Sequence, residues 1–132
     1  MKKLILSFLL SLLILTPHNL SSAKVDNLDR WYDAYNQVYF DHTLPAHMEI
    51  DHILNDPEIM AMTECEFVSL TCKINFNPRY ELSSSVTKMT LLHEQCHIKL
   101  FVDNEYEFYE HGAKWEACMH TVANKNGFDQ LW

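Results

Sequence analysis

Leu91-Leu92-His93-Glu94-Gln95-Cys96-His97-Ile98-Lys99-Leu100 is the stretch on which the reading of this chain turns. It lies inside the longest unbroken helical pattern, roughly residues 84–100. On a helix, positions i and i+4 stack on one face, so the imidazoles of His93 and His97 can close on one metal ion. Glu94 is turned about 100° around the axis, where a carboxylate can reach a metal-bound water but not easily the metal. Neutral imidazoles suit zinc, a catalytic site keeps a position open for water, and the carboxylate takes that water's proton. Before the motif run Leu82, Val86, Met89, Leu91 and Leu92; after it come Ile98, Leu100, Phe101 and Val102. Apolar residues occupy nearly the whole circumference, which predicts a buried helix. Two imidazoles and a carboxylate inside such a helix carry a desolvation cost unless something pairs with them, and a bound dication would offset it.

The rest of the chain reads as helix, sheet, helix, helix, an α+β class with one core. Leu28, Trp31, Tyr35, Val38 and Tyr39 follow amphipathic helical spacing, with Asp26 or Asn27 as N-cap and Pro45 disfavouring helix at Leu44. Met48, Ile50 and His52 alternate with Glu49 and Asp51, a second alternating run covers Ile59 to Phe67, and a third covers Cys72, Ile74 and Phe76. These predict a small antiparallel sheet of about three strands. Trp115, Cys118, Met119, Val122 and Ala123 form the apolar stripe of a last helix, which Gly127 is placed to end in a left-handed conformation. There is no internal repeat, low-complexity tract or linker.

Residues 1–23 have the form of a secretory signal: Lys2 and Lys3, an apolar run from Leu4 to Leu15, then Ser21-Ser22-Ala23 as a small-residue cleavage site. That run has 12 residues, too few for a bilayer, which needs about 20. The expected mature chain, residues 24–132, has 109 residues, which suffices for one domain. It keeps 8 Lys and Arg against 18 Asp and Glu, a net charge of −10. Such a surface repels nucleic acid, so no nucleic-acid partner is expected. The expected form is an exported monomer, periplasmic or extracellular, with no membrane span after cleavage. Four cysteines in an exported chain suggest disulfides. Cys65 and Cys72 flank a short segment and are the favoured pair; Cys96 and Cys118 would then join the motif helix to the last helix.

A catalytic zinc usually takes three protein ligands, so a third should arrive just before or within the last helix. The candidates are His111, Glu110, Glu107, Glu116 and His120, with Gly112 letting the backbone beside His111 approach closely. Asp103, Asn104, Glu105, Glu107 and Glu110 read mostly as a solvated charge run. Tyr80, Tyr106 and Tyr109 are the nearest hydroxyls that could support an oxyanion, but each reads better as a half-buried aromatic with a wet hydroxyl, and none is counted as catalytic.

In order along the chain, Tyr35-Asn36-Gln37-Val38-Tyr39-Phe40-Asp41, Leu44-Pro45, Ile74-Asn75-Phe76-Asn77-Pro78-Arg79, the motif helix, and His111-Gly112 followed by Trp115 and Met119 resemble the SprT-like (Spartan-type) zinc metallopeptidase domains. The resemblance covers nearly the whole mature chain. It implies a minimal zincin-like fold, one Zn2+ per chain held by His93, His97 and His111, and Glu94 as general base for hydrolysis of a protein or peptide substrate. Two departures matter. No zinc ribbon or DNA-binding tail follows before Trp132, and the export signal and acidic charge do not suit the DNA-crosslinked substrates of the best-known members. Two other functions fit the same residues: a non-catalytic secreted binder with zinc kept for structure, and a zinc hydrolase of a non-peptide amide.

Overall fold

Chain order builds the site from three helices and a three-stranded sheet. The computed structural model describes residues 28–79 and 84–128; the expected signal segment, the N-cap residues Asp26 and Asn27, and Tyr80 lie outside them. Helix α1 (Leu28–Phe40) leads to β1 (Glu49–Asp51), β2 (Ala61–Glu66), β3 (Thr71–Phe76), α2 (Ser84–Val102) and α3 (Ala113–Asn124). Among the described residues no helix is long and apolar enough to cross a membrane.

Helix α1 ends at Phe40 because Asp41 and His42 turn left-handed at φ 54° and 58°, and the His42 amide donates back to the Asn36 carbonyl at 3.0 Å. Its buried face is Leu28, Tyr32, Asn36, Tyr39 and Phe40. Val38, assigned to that face by spacing, is 57% exposed, and the fully buried Tyr32 takes the inner position. Asn36 is buried because its amide clamps Leu44, donating to the Leu44 carbonyl at 2.9 Å and accepting from the Leu44 amide at 3.1 Å. A buried amide satisfied on both sides costs little, and it fixes the exit of α1.

The sheet is mixed, with order β1-β3-β2. The expected antiparallel pairing holds for β2 with β3, where Cys65 faces Cys72. It does not hold for β1, which pairs parallel to β3 with Ile50 opposite Ile74. Alternation marks a strand without giving its direction. The connection over residues 52–60 is long enough to carry β2 to the far side of β3. Asn77 then locks that connection, its Nδ2 donating to the carbonyls of Asp56 at 2.6 Å and Ile59 at 2.9 Å.

Helix α2 lies at the centre, with Leu91, Leu92, Cys96 and Ile98 fully buried. Gln95 ties it to α1 by donating to the Tyr32 carbonyl at 3.0 Å. Helix α3 buries Trp115, Met119, Val122 and Ala123. Its left-handed residue is Asn126, at φ 62°, and not Gly127. Asparagine also tolerates that region. Gly127 serves packing instead, since a Cβ there would stand 2.5 Å from Val122 Cγ1 and 2.8 Å from the Val122 carbonyl.

Both expected disulfides form, Cys65–Cys72 and Cys96–Cys118, and they are compatible with export. Their sequence separations are 7 and 22. Chain entropy ranks them, with about 2.5 kcal/mol for the short loop and about 3.4 kcal/mol for the long one. The Cys96→Ala/Cys118→Ala double substitution is expected to lower unfolding free energy by about 2–4 kcal/mol. Urea denaturation measures it, and a loss under about 1 kcal/mol would show that α3 docks without its crosslink.

Candidate metal centre

His93 and His97 stand one turn apart on α2, and His111 sits in the connection immediately before α3. His93 Nε2 lies 3.3 Å from His97 Nε2 and 3.1 Å from His111 Nε2. Ligand atoms of all three fall within 4.8 Å of one another. A neutral ring nitrogen carries either one proton or one lone pair, so His93 Nε2 cannot hydrogen-bond to both neighbours. A tetrahedral ion about 2.0–2.1 Å from each nitrogen would set neighbouring ligands about 3.3 Å apart. The three residues therefore fit a metal ion.

Electrostatics agree with that fit. Burial, with His97 and His111 beside it, pushes the His93 pKa down to about 3. Burial and then His111 push His97 down to about 4. Both rings are therefore neutral near pH 7, the state in which imidazole ligates. His111 is exposed, so solvent reaches the centre from its side.

Glu94 is 3% exposed, and burial raises its pKa to about 7. Its bonds to Thr63 oppose that rise, and the charge of Glu110 adds to it. The Thr63 hydroxyl donates to Glu94 Oε2 at 2.6 Å. Thr63 is a partner of Glu94 that no sequence signal marks. It reaches Glu94 because β2 is laid beside α2, a contact spanning 31 residues of sequence.

Trp115 closes the back of the centre. Its ring centroid lies 4.7 Å from His93, 4.4 Å from His111 and 5.7 Å from His97, nearly parallel to the last. Below it, the Cys96–Cys118 bridge joins α2 to α3.

Glu107, a ligand candidate by position, has another task. Its Oε2 accepts from the amides of Lys114 at 2.9 Å and Trp115 at 3.3 Å, satisfying the open N-terminus of α3. Gly112 makes room for it. Its φ of −79° needs no glycine, but a Cβ there would lie 2.5 Å from Glu107 Oε2. The expected close approach at Gly112, the residue after His111, is thus real, and it is made to the Glu107 carboxylate. Gly112→Ala is expected to displace Glu107, cost about 0.5–2 kcal/mol of stability, and weaken the affinity for added zinc about 10–100-fold. Thermal unfolding and a competition titration measure the two effects. Wild-type affinity in this variant would show that His111 is positioned independently of the cap.

The other candidates stand apart. Glu116 and His120 are exposed on α3, and neither joins the cluster. Glu110 lines the cleft without joining the cluster. The acidic run is mostly solvated as expected, with Asp103, Asn104, Glu105 and Glu110 exposed; Asp103 pairs with Lys99, and Glu105 lies 4.0 Å from Lys114. Tyr106 and Tyr109 are exposed and do not line the cleft.

That cleft has a volume of about 540 Å³. One wall is β2 and the residues leading into it, from Glu58 to Thr63 with Cys65; the other is Thr90, His93, Glu94, His97 and Phe101 of α2, joined by Glu110 and His111. A carboxylate and three imidazoles thus meet in one open cleft.

The model of the SprT-like family matches residues 28–130. No curated protein and no solved structure gives a significant match.

Proposed function

Because the chain belongs to the SprT-like family, we propose that it is an exported zinc metallopeptidase that hydrolyses peptide bonds in the cleft between β2 and α2. The observation that carries this reading is the convergence of His93, His97 and His111 within 4.8 Å, with the buried carboxylate of Glu94 next to the first of them. His93, His97 and His111 would hold the zinc. When bound, it supplies Lewis acidity, making a water easier to deprotonate and a carbonyl easier to attack.

The chain's own residues divide the remaining work. Glu94 accepts the proton of the attacking water and returns it to the leaving amine. Thr63 occupies Oε2 and fixes the carboxylate plane, which leaves Oε1 as the atom that takes the proton. Trp115 packs against the imidazoles, stacked on His97 alone, and keeps water from their inner side. Asn77 holds the segment leading into β2, and with it the wall that carries Thr63.

Glu58 and Glu110 line the cleft, and among the described residues no Lys or Arg does. Peptides with basic residues are therefore expected to be cleaved about tenfold faster than matched acidic ones at low salt, with the ratio shrinking as salt rises. The reading itself is tested by incubating the zinc-loaded protein with a broad peptide library and following cleavage by mass spectrometry. Hydrolysis abolished by chelation and restored by zinc is expected. A library left intact would overturn the enzyme reading.

A further inference from the structure

Strand β2 and helix α2 run side by side in the same direction. The pairs that join them are Thr90 Oγ1 with Met60 Sδ at 3.2 Å, Thr63 with Glu94 at 2.6 Å, and Phe67 with Phe101 at 5.1 Å between ring centroids. The cleft is therefore a trough with an orientation, the histidines lying midway and an aromatic group at one end. Phe101 continues the stripe of His93 and His97 by one more turn and lines the cleft itself. Phe67 packs on Phe101, and Tyr106 packs edge-on against Phe67 at 5.2 Å.

These rings are held out in water. Phe67 is 60% and Tyr106 57% exposed. The hairpin tip that carries Phe67 is braced beneath by the Cys65–Cys72 bridge and from within by Ser69, whose hydroxyl meets Glu66 Oε2 and Thr71 Oγ1 at 2.7 Å each. Leu70 at the tip adopts φ 54°, a left-handed conformation that a branched side chain takes only where its surroundings impose it. An apolar surface fixed in place and continuous with a cleft marks a binding site. Its occupant follows from that continuity: whatever lies along the trough past His97 meets Phe101 next.

Resting on the reading of the cleft as a peptidase site, we propose that Phe67, Phe101 and Tyr106 form a specificity subsite for a bulky apolar side chain of an extended polypeptide substrate, about two residues from the scissile bond. Four residues of helix separate His97 from Phe101, a rise of about 6 Å. Two residues of extended chain span about 6.6 Å. The substrate class is thus a polypeptide with an aromatic or large aliphatic residue close to the cut.

The test separates binding from chemistry. Fluorescence anisotropy compares labelled Gly/Ser-rich peptides, with and without a single Phe, on the zinc-loaded Glu94→Gln protein. The Phe peptide is expected to bind about tenfold tighter, and adding Phe67→Ser or Tyr106→Ser should bring the ratio towards one. Circular dichroism and zinc content check that these exposed substitutions keep the fold. A ratio near one in the parent, a ratio that survives both substitutions, or no binding of either peptide overturns the subsite. In the active protein, mass spectrometry of the products should place the Phe about two residues from the cut, and cuts without regard to it also overturn the proposal. Failure of hydrolysis with the binding ratio intact counts against the peptidase reading alone. Val68, Leu70, Phe108 and Tyr109 are exposed apolar side chains outside the cleft. Self-association in sedimentation, or pelleting with phosphatidylcholine vesicles, that Phe67→Ser abolishes without changing the peptide ratio would assign the patch to another occupant and overturn the subsite.

Discussion

Replacing Glu94 by Gln is expected to lower peptide hydrolysis by about 10²–10⁴-fold while zinc remains at one per chain. Gln has the size and shape of Glu, and its amide oxygen can accept the Thr63 hydroxyl that now reaches Oε2 at 2.6 Å. What it lacks is the capacity to take a proton. The fold should not suffer, because the side chain is 3% exposed and a neutral amide is easier to bury than a carboxylate. The melting temperature is therefore expected to stay level or rise. This combination isolates the chemistry, since a substitution that damaged the fold or the imidazoles would lose zinc as well. Rates on a cleaved peptide, zinc analysis and thermal unfolding form the measurement. Hydrolysis at the wild-type rate would remove Glu94 as base. Absence of hydrolysis in both proteins on a broad library would favour the secreted binder, or a hydrolase of a non-peptide amide, on the same scaffold.

Glu94 also illustrates how much could be read in advance. The helix around it was legible because His93, Glu94 and His97 share a helical spacing and apolar residues surround them; the expected 84–100 became Ser84–Val102. The three imidazoles converge because His111-Gly112 precedes an apolar helix that must dock on α2. Both cysteine pairs were legible for a related reason, each joining elements that local pattern already made neighbours. Thr63 was not, since a threonine in an alternating strand carries no mark of the carboxylate it will face. The parallel pairing of β1 was not legible either, because a three-residue strand looks the same in both directions. On α1, Leu28, Trp31, Tyr35 and Tyr39 face the core as expected while Val38 gives way to Tyr32, since Trp31, Tyr32, Tyr35 and Val38 offer two overlapping apolar faces. The choice falls to Asn36, whose clamp on Leu44 works only from inside. Glu107 was open to misreading for a different reason: a carboxylate before a helix has the same sequence appearance whether it ligates a metal or caps the backbone.

The second large effect falls on His111. Apparent binding free energies of structural zinc sites run to about 10–16 kcal/mol over four ligands, or roughly 2.5–4 kcal/mol for each. His111→Ala is therefore expected to weaken zinc binding about 10²–10³-fold. Its ring is exposed, and its nearest polar partner is His93 Nε2 at 3.1 Å, so the metal-free protein should keep its melting temperature. The wild-type protein should melt higher as zinc is added, because an ion that binds the folded state alone stabilises it by mass action. That rise should vanish in the variant at the same zinc concentration. His120→Ala is the matched control, an exposed histidine outside the cluster, and should keep the full rise. The comparison also reaches the carboxylates. Glu110 shares the cleft with His111, and if it supplied the third ligand instead, the His111 variant would titrate like the parent and Glu110→Gln would carry the loss. Unchanged zinc affinity in both His111→Ala and Glu110→Gln would leave only the i, i+4 pair on α2. Two imidazoles do not complete a catalytic zinc site, and the hydrolytic reading would fall with the third ligand.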